Sequence, residues 1–257
     1  MSAFLSAAQL RQFRQDGYLV LPGMVAPDTC ARIRAVVQDH LRRAVPPIEY
    51  EAEVGYPGAP SSLDAPGGCT ARRLKSAYER DDALRAWAED ARIAACMEQL
   101  MEEPVALTLA HHNCVMTKHP HYGTATGWHR DIRYWRFTRN ELVTAWLALG
   151  DERVENGALR VIPGSHRFDI KPEQLDALDF LRPDEPENAA LFAQGISPAL
   201  HAGDVLLFHS GLFHAAGPNT EDEVKMSVAF AYRGRSNLPL PGSRSATGDD
   251  VPLTQST

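Results

Sequence analysis

Cysteine is scarce: four residues in a chain of 257, at positions 30, 69, 96 and 114. No CxxC pair exists, which argues against structural zinc, and a chain this long does not need a disulfide framework. Long apolar runs are missing too. The longest spans five residues, as at 93–97 and 145–149, where a membrane helix needs about 20. The opening Met-Ser-Ala-Phe-Leu has no basic stretch followed by an apolar one, so no secretory signal is expected. Positive charge is also in deficit. Lys and Arg number 26 against 33 Asp and Glu, a net −7, which argues against a general nucleic-acid binder while leaving room for a local basic pocket. The expected setting is the reducing cytoplasm, with neither membrane nor nucleic acid as partner.

What is present is an ordinary globular composition, 44% apolar and 23% charged, enough to bury a full core without staples. Ser6-Ala-Ala-Gln9 is a capping-box pattern, and Leu10 and Phe13 follow on one helical face. Gly17 ends that helix. Tyr18–Leu21 reads as a strand stopped by Pro22-Gly23. Asp28 is the expected cap of a second helix, whose apolar face is Cys30, Ile33, Val37 and Leu41. Residues 45–71 hold five prolines and four glycines. They read as a long loop: either a lid or binding loop, or a disordered surface segment. Helical patterning returns over 81–102 and stops before Pro104. Beyond that point short apolar runs recur between turns: 105–109, 114–116, 142–149, 158–162, 205–208 and 224–232. This texture predicts a sandwich or barrel, with the polar stretch 182–188 inside an insertion.

The histidines carry the functional signal. Trp128-His129-Arg130-Asp131 places His and Asp at i and i+2 in a segment that reads as strand, so both side chains face one way. His214 follows 83 residues after Asp131, beyond the strand ending at His209. Two imidazoles and one carboxylate on one side of a metal form the facial triad of non-haem Fe(II) sites. HxD pairs also arise by chance, and a lone strand histidine is commonly a hydrogen-bonded core residue. Spacing alone leaves both readings open.

Several stretches resemble the phytanoyl-CoA dioxygenase family, in family order and over roughly residues 6–234. They are AQLRQFRQDGYLVLPG (8–23), GWHRD (127–131), TAWLAL (144–149), ENGALRVIPGSH (155–166), GDVLLFH (203–209) and HAAGPN (214–219). The resemblance implies a mainly β fold with flanking helices, a double-stranded β-helix (jelly roll, cupin-like). It implies one domain over 1–257: a helical N-terminal region over 1–103 containing the 45–71 loop, a jelly-roll core 104–235 with an insertion at about 169–198, and a tail 236–257. It implies Fe(II) held by His129, Asp131 and His214, with 2-oxoglutarate and O2 as co-substrates. The implied reaction hydroxylates a small molecule and releases succinate and CO2. Retention of Asp131 points to oxygenation, because related halogenases carry a small residue there.

One position departs from the family. Eleven residues after His214, where an arginine usually meets the far carboxylate of 2-oxoglutarate, stands Lys225. Lysine keeps the charge and loses the two-pronged contact. Arg160 and Arg233 are the competing cations. The family pattern further assigns Thr144 and Trp146 to the co-substrate pocket, with plain core packing the other reading of Trp146, and Asn113 to a polar contact there. Asn219 is either part of the distal motif or a turn residue. His166 is expected in a structural turn, and His209 is the rival of His214 under a small register error. His111, His112, His119 and His121 are expected at the surface or behind the site.

For the substrate, Arg130, Arg133, Arg136 and Arg139 recur every three residues among aromatics. They form either an anion-binding wall or a solvated loop. Arg133, Tyr134, Trp135 and Lys75 are the candidate contacts for a small, anionic substrate. The competing functional readings are a non-catalytic small-molecule binder on the same scaffold, and a metal-dependent isomerase or hydrolase working without oxygen.

Overall fold

The computed structural model describes residues 4–253. The chain opens with α1 (Ala7–Asp16), β1 (Tyr18–Leu21) and α2 (Pro27–Arg42). The capping box between Ser6 and Gln9 is formed, and Gly17 ends α1 at φ 76, a conformation that favours glycine. Cys30, Ile33 and Val37 are buried on α2, with Leu41 packed beside them. The start of α2 differs from expectation. Pro27 occupies the first turn, the flanking Ala26 makes no side-chain cap, and Asp28 lies inside the helix, where its charge favours the N-terminal dipole.

Residues 45–71 are not wholly loop. They contain β2 (Ile48–Tyr50), which pairs with β3 (Ala71–Lys75), and a single 3-10 turn at Glu51–Glu53. Neither strand has a clean apolar alternation, because charged side chains at Glu49, Arg72 and Arg73 are paired rather than solvated. The helical stretch is three pieces: α3 (Ala77–Arg80), α4 (Asp82–Ala88) and α5 (Ala91–Met101). Asp81 and Asp90 accept hydrogen bonds from the first turns of α4 and α5, so each aspartate restarts a helix.

The strands that follow are β4 (Val105–Leu107), β5 (Asn113–Lys118), β6 (Thr126–His129), β7 (Leu142–Ala148), β8 (Leu159–Val161), β9 (Val205–His209), β10 (His214–Ala216), β11 (Lys225–Gly234) and β12 (Val251–Pro252). A short helix, α6 (Pro186–Phe192), lies within the insertion. The large sheet runs β1-β9-β7-β11-β5-β3-β2, with β4 joined to β11 and β12 to β4. The small sheet is β6-β10-β8. All of these ladders are antiparallel. This is the expected double-stranded β-helix: two layers face each other without a closed barrel.

Alternation along the strands sorts the side chains into two cores. One face of the large sheet (Val115, Ala145, Leu147, Leu207, Val228, Phe230) packs against the helices through Ile33, Leu84, Ile93 and Met97. The other face (Cys114, Trp146, Leu206, Phe208, Ala229) meets Leu159 and Val161 of the small sheet. The space between the sheets widens at one end into a cavity.

Residues 236–253 are not a free tail. β12 pairs with β4, Leu253 and Ser245 are buried, and Arg244 reaches the cavity wall. No described helix is long and apolar enough to cross a membrane. The four cysteines are all free.

Candidate active site

β6 and β10 are antiparallel neighbours, and His129 and His214 are register partners. Directly opposed residues project to the same face, so the two imidazoles meet, with ring centroids 4.2 Å apart. Asp131 reaches them by another route than the one expected. β6 ends at His129, and Asp131 begins a 3-10 turn over Asp131–Arg133. That turn is tied down where Ile132 N–H donates to the Ser210 carbonyl at 3.1 Å. One ligand-type atom from each of His129, Asp131 and His214 lies within 4.8 Å of the others, and all three residues are buried. Among the described residues no other group of three His, Cys, Asp or Glu converges in this way.

The protonation pattern suits a cation. His129 Nδ1 lies 2.9 Å from the Gly127 carbonyl, and His214 Nδ1 lies 3.0 Å from that of Leu212. A carbonyl only accepts, so each Nδ1 carries a proton, which leaves each Nε2 as the nitrogen able to ligate. Burial holds the His129 imidazolium well below the usual histidine range, with the neighbouring His214 adding to the effect, so His129 is neutral. Asp131 Oδ2 is buried and has no hydrogen-bond partner. An orphaned carboxylate oxygen beside two imidazoles is a donor set that fits a cation. The mixed N/O set, open to the cavity on one side, favours iron over closed four-coordinate zinc.

His112 lies beside Asp131 and also borders the cavity. Its Nε2 is 3.4 Å from Asp131 Oδ1, and its Nδ1 is 3.1 Å from Thr144 Oγ1. Thr144 therefore supports His112 from behind and does not itself line the cavity. His112 holds a positive φ of 35, a backbone conformation that costs energy in a non-glycine residue. His209, the rival of His214, lies elsewhere: its Nδ1 accepts from Gly211 N–H, and its ring packs on His166.

The cavity measures about 420 Å³ and takes in all three trio residues. Lys225 is on its wall, whereas Arg160 lies over the Trp128 ring and Arg233 is paired with Asp250. Lys225 is not a bare cation. Its Nζ meets Glu152 Oε2 at 3.3 Å and Ser227 Oγ at 3.2 Å, and lies 4.9 Å from the centre of the Trp146 ring. Glu152 Oε1 in turn accepts from Trp146 Nε1 at 2.8 Å and from Ser227 Oγ at 2.5 Å. Asn113 borders the cavity, but its amide is occupied: it accepts from Tyr78 N–H and donates to Glu79, anchoring α3. Asn219 donates to the Lys118 and Glu223 carbonyls, so it fastens the end of β5.

Sequence reading missed Lys118, Glu49 and Glu152, and read Arg72 and Arg73 only as a small basic cluster with Lys75. Lys118 is buried on the cavity wall, and its Nζ donates to the Thr124 carbonyl at 2.6 Å. Burial, reinforced by Arg72, pushes this ammonium down to about 7. Its signal was present in the alternation of Cys114, Met116 and Lys118 along β5.

Lys75, Arg133, Tyr134 and Trp135 all border the cavity. Trp135 is buried and stacks on His111, while Tyr134 is half exposed. Arg133 lies over the Phe180 ring and donates to the Leu178 carbonyl and Tyr56 hydroxyl. The three-residue arginine rhythm does not form one wall. Arg130 covers Phe213, Arg139 pairs with Glu103 and Glu141, and neither borders the cavity, nor does Arg136. Glu53, Val54 and Tyr56 do, so the proline-rich loop contributes to the binding space.

The family model for phytanoyl-CoA dioxygenase (PhyH) matches residues 13–227. The peroxisomal phytanoyl-CoA dioxygenase of Rattus norvegicus is 22% identical over 251 residues, covering 89% of this chain and 68% of that protein. The L-proline trans-4-hydroxylase of Streptomyces griseoviridis is 23% identical over 259 residues, covering 93% and 90%. In fold, the chain is similar to EctD from S. alaskensis, solved with 2-oxoglutarate and 5-hydroxyectoine. That match has a TM-score of 0.77 at 23% identity and covers 98% of this chain and 87% of the other. The chain belongs to the phytanoyl-CoA dioxygenase family of iron- and 2-oxoglutarate-dependent oxygenases.

Proposed function

We propose that the whole chain is one catalytic domain that hydroxylates a small, anionic molecule, using Fe(II), 2-oxoglutarate and O2 and releasing succinate and CO2. The observation that carries this reading is the convergence of His129, Asp131 and His214 on the wall of a cavity of about 420 Å³.

His129 Nε2, Asp131 and His214 Nε2 would hold the iron on one side. The hydrogen bonds at both Nδ1 atoms fix the ring planes before metal arrives. Bound iron with 2-oxoglutarate supplies the oxidising power, as cofactors generally do. The chain's role is binding, orientation and exclusion of water. Lys225 supplies positive charge for the far carboxylate of the co-substrate, held in place by Glu152 and Ser227. Trp146 walls the same space. Trp135 and Phe208 present apolar surface near the trio, while Lys75, Arg133 and Tyr134 lie where an anionic substrate group would enter. A reducing compartment, the cytoplasm, suits the four free cysteines.

The test is aerobic incubation of the purified chain with Fe(II), ascorbate and 2-oxoglutarate, with succinate measured against an Asp131→Ala control. The expected result is slow, oxygen-dependent succinate release by the unaltered chain alone. Equal release by both proteins, or none from either, removes the reading in favour of a binder. Turnover under argon favours an isomerase or hydrolase.

A further inference from the structure

Resting on that co-substrate assignment, we propose that Lys118 is a second anchor for the far carboxylate of 2-oxoglutarate. It works with Lys225, so that two lysines on adjacent strands replace one arginine fork.

Lys118 and Lys225 are direct register partners at the paired ends of β5 and β11. Both border the cavity, and both are buried, at 5% and 8% exposure. Like charges directly opposed on one sheet face are unfavourable, and more so out of water. Such a pair is tolerable when an anion sits between its members.

The local charge count points the same way. Arg72, Lys118 and Lys225 are buried cations, and Glu51 and Glu152 are the buried carboxylates that answer them. Arg72 pairs with Glu51 at 2.9 Å, and Lys225 pairs with Glu152 at 3.3 Å. Among the described residues Lys118 has no carboxylate partner. Its one hydrogen bond goes to the Thr124 carbonyl, which Arg72 also uses. Two of its three donors therefore remain, with one more on Lys225. A single carboxylate would satisfy these donors and give Lys118 the close carboxylate contact that Arg72 and Lys225 already have.

Crowding here is specific. A Cβ at Gly157 would lie 2.9 Å from Lys118 Cγ, so the lysine stem passes across a bare glycine on its way to the cavity.

The test uses the full-length chain loaded with Mn(II) under argon, with binding followed by titration calorimetry. Two probes are compared: 2-oxoglutarate, and 2-oxovalerate, which has a methyl group in place of the far carboxylate. Lys118→Gln retains a donor for the Thr124 carbonyl while removing the charge. It should weaken 2-oxoglutarate about tenfold or more, as expected for one lost charge-assisted hydrogen bond, and leave 2-oxovalerate within about twofold. Lys118→Met, which keeps the stem against Gly157, should give the same selective loss, and Lys118→Arg should recover most of the affinity. An equal loss for both probes, or no loss for either, overturns the proposal while leaving the co-substrate assignment standing. If the unaltered chain binds neither acid, the co-substrate assignment fails first and this inference with it.

Discussion

Changing Asp131 to Asn should reverse the stability order of two proteins according to whether metal is present. Without metal, Asp131 is a buried carboxylate whose Oδ2 has no partner, with His112 and His214 at 3.4 and 3.6 Å from Oδ1. An unsatisfied buried polar atom costs about 1–3 kcal/mol, more when charged. The substituted amide is neutral, so the metal-free variant should be as stable as the parent or more stable. With metal, the parent gains RT ln(1 + [L]/Kd), about 2.7 kcal/mol at a hundredfold excess over Kd. For a domain of this size each kcal/mol moves Tm by about 2–4 °C, so the parent should rise by about 5–11 °C. The variant lacks the anionic ligand and should rise by little. The assay is thermal unfolding under argon with and without Fe(II), with Mn(II) as an air-stable stand-in. Two results would refute the reasoning. An equal metal shift in both proteins would place the cation elsewhere, and a large loss of stability in the metal-free variant would make Asp131 a structural residue.

Three further outcomes follow from the same geometry. Glu152→Ala strands Lys225, Trp146 Nε1 and Ser227 Oγ in a buried place and should cost about 3–5 kcal/mol in urea denaturation; an unchanged midpoint would contradict the network. Gly157→Ala demands φ 75 of an alanine, with Cβ 2.8 Å from the Gly217 carbonyl, and should lose at least about 1 kcal/mol of stability together with 2-oxoglutarate affinity in calorimetry. His111 and His209 are pushed down to about 4 by burial, and His129 well below its usual value. Folded values below the unfolded 6.5 mean that their contribution is complete above pH 6.5 and lost as pH falls toward 4. The metal-free protein should therefore show a lower urea midpoint at pH 5 than at pH 7.5, and a flat profile would refute the burial of neutral imidazoles.

Local and periodic features were legible in the amino-acid order. The Ser6–Gln9 capping box, the Gly17 stop and the apolar face of α2 depend on neighbours within a turn or two. The strands of the inner and outer cores announced themselves by apolar runs. The convergence of His129, Asp131 and His214 was legible from the HxD pair and the motif around His214, although strand alternation was the wrong reason for Asp131, which a turn delivers. What stayed hidden was charged and distant. β2 lies inside the stretch read as loop, and both it and its partner β3 carry ion-paired side chains in place of an apolar run. The segment after 236 folds back because Val251 and Leu253 find β4, not because of any local signal.

The amino-acid order alone pointed to a layered β architecture preceded by helices, through short-range propensity and side-chain period, and the motifs that resemble the family pointed to the three residues that meet at its open end. Only the tertiary structure decided how charge is distributed around them. Lys118 opposite Lys225 is set by the register of β5 on β11, while His112 and Glu152, both outside the named strands, are brought by the fold beside Asp131 and Lys225. A buried charge takes its meaning from the partner that the fold brings beside it.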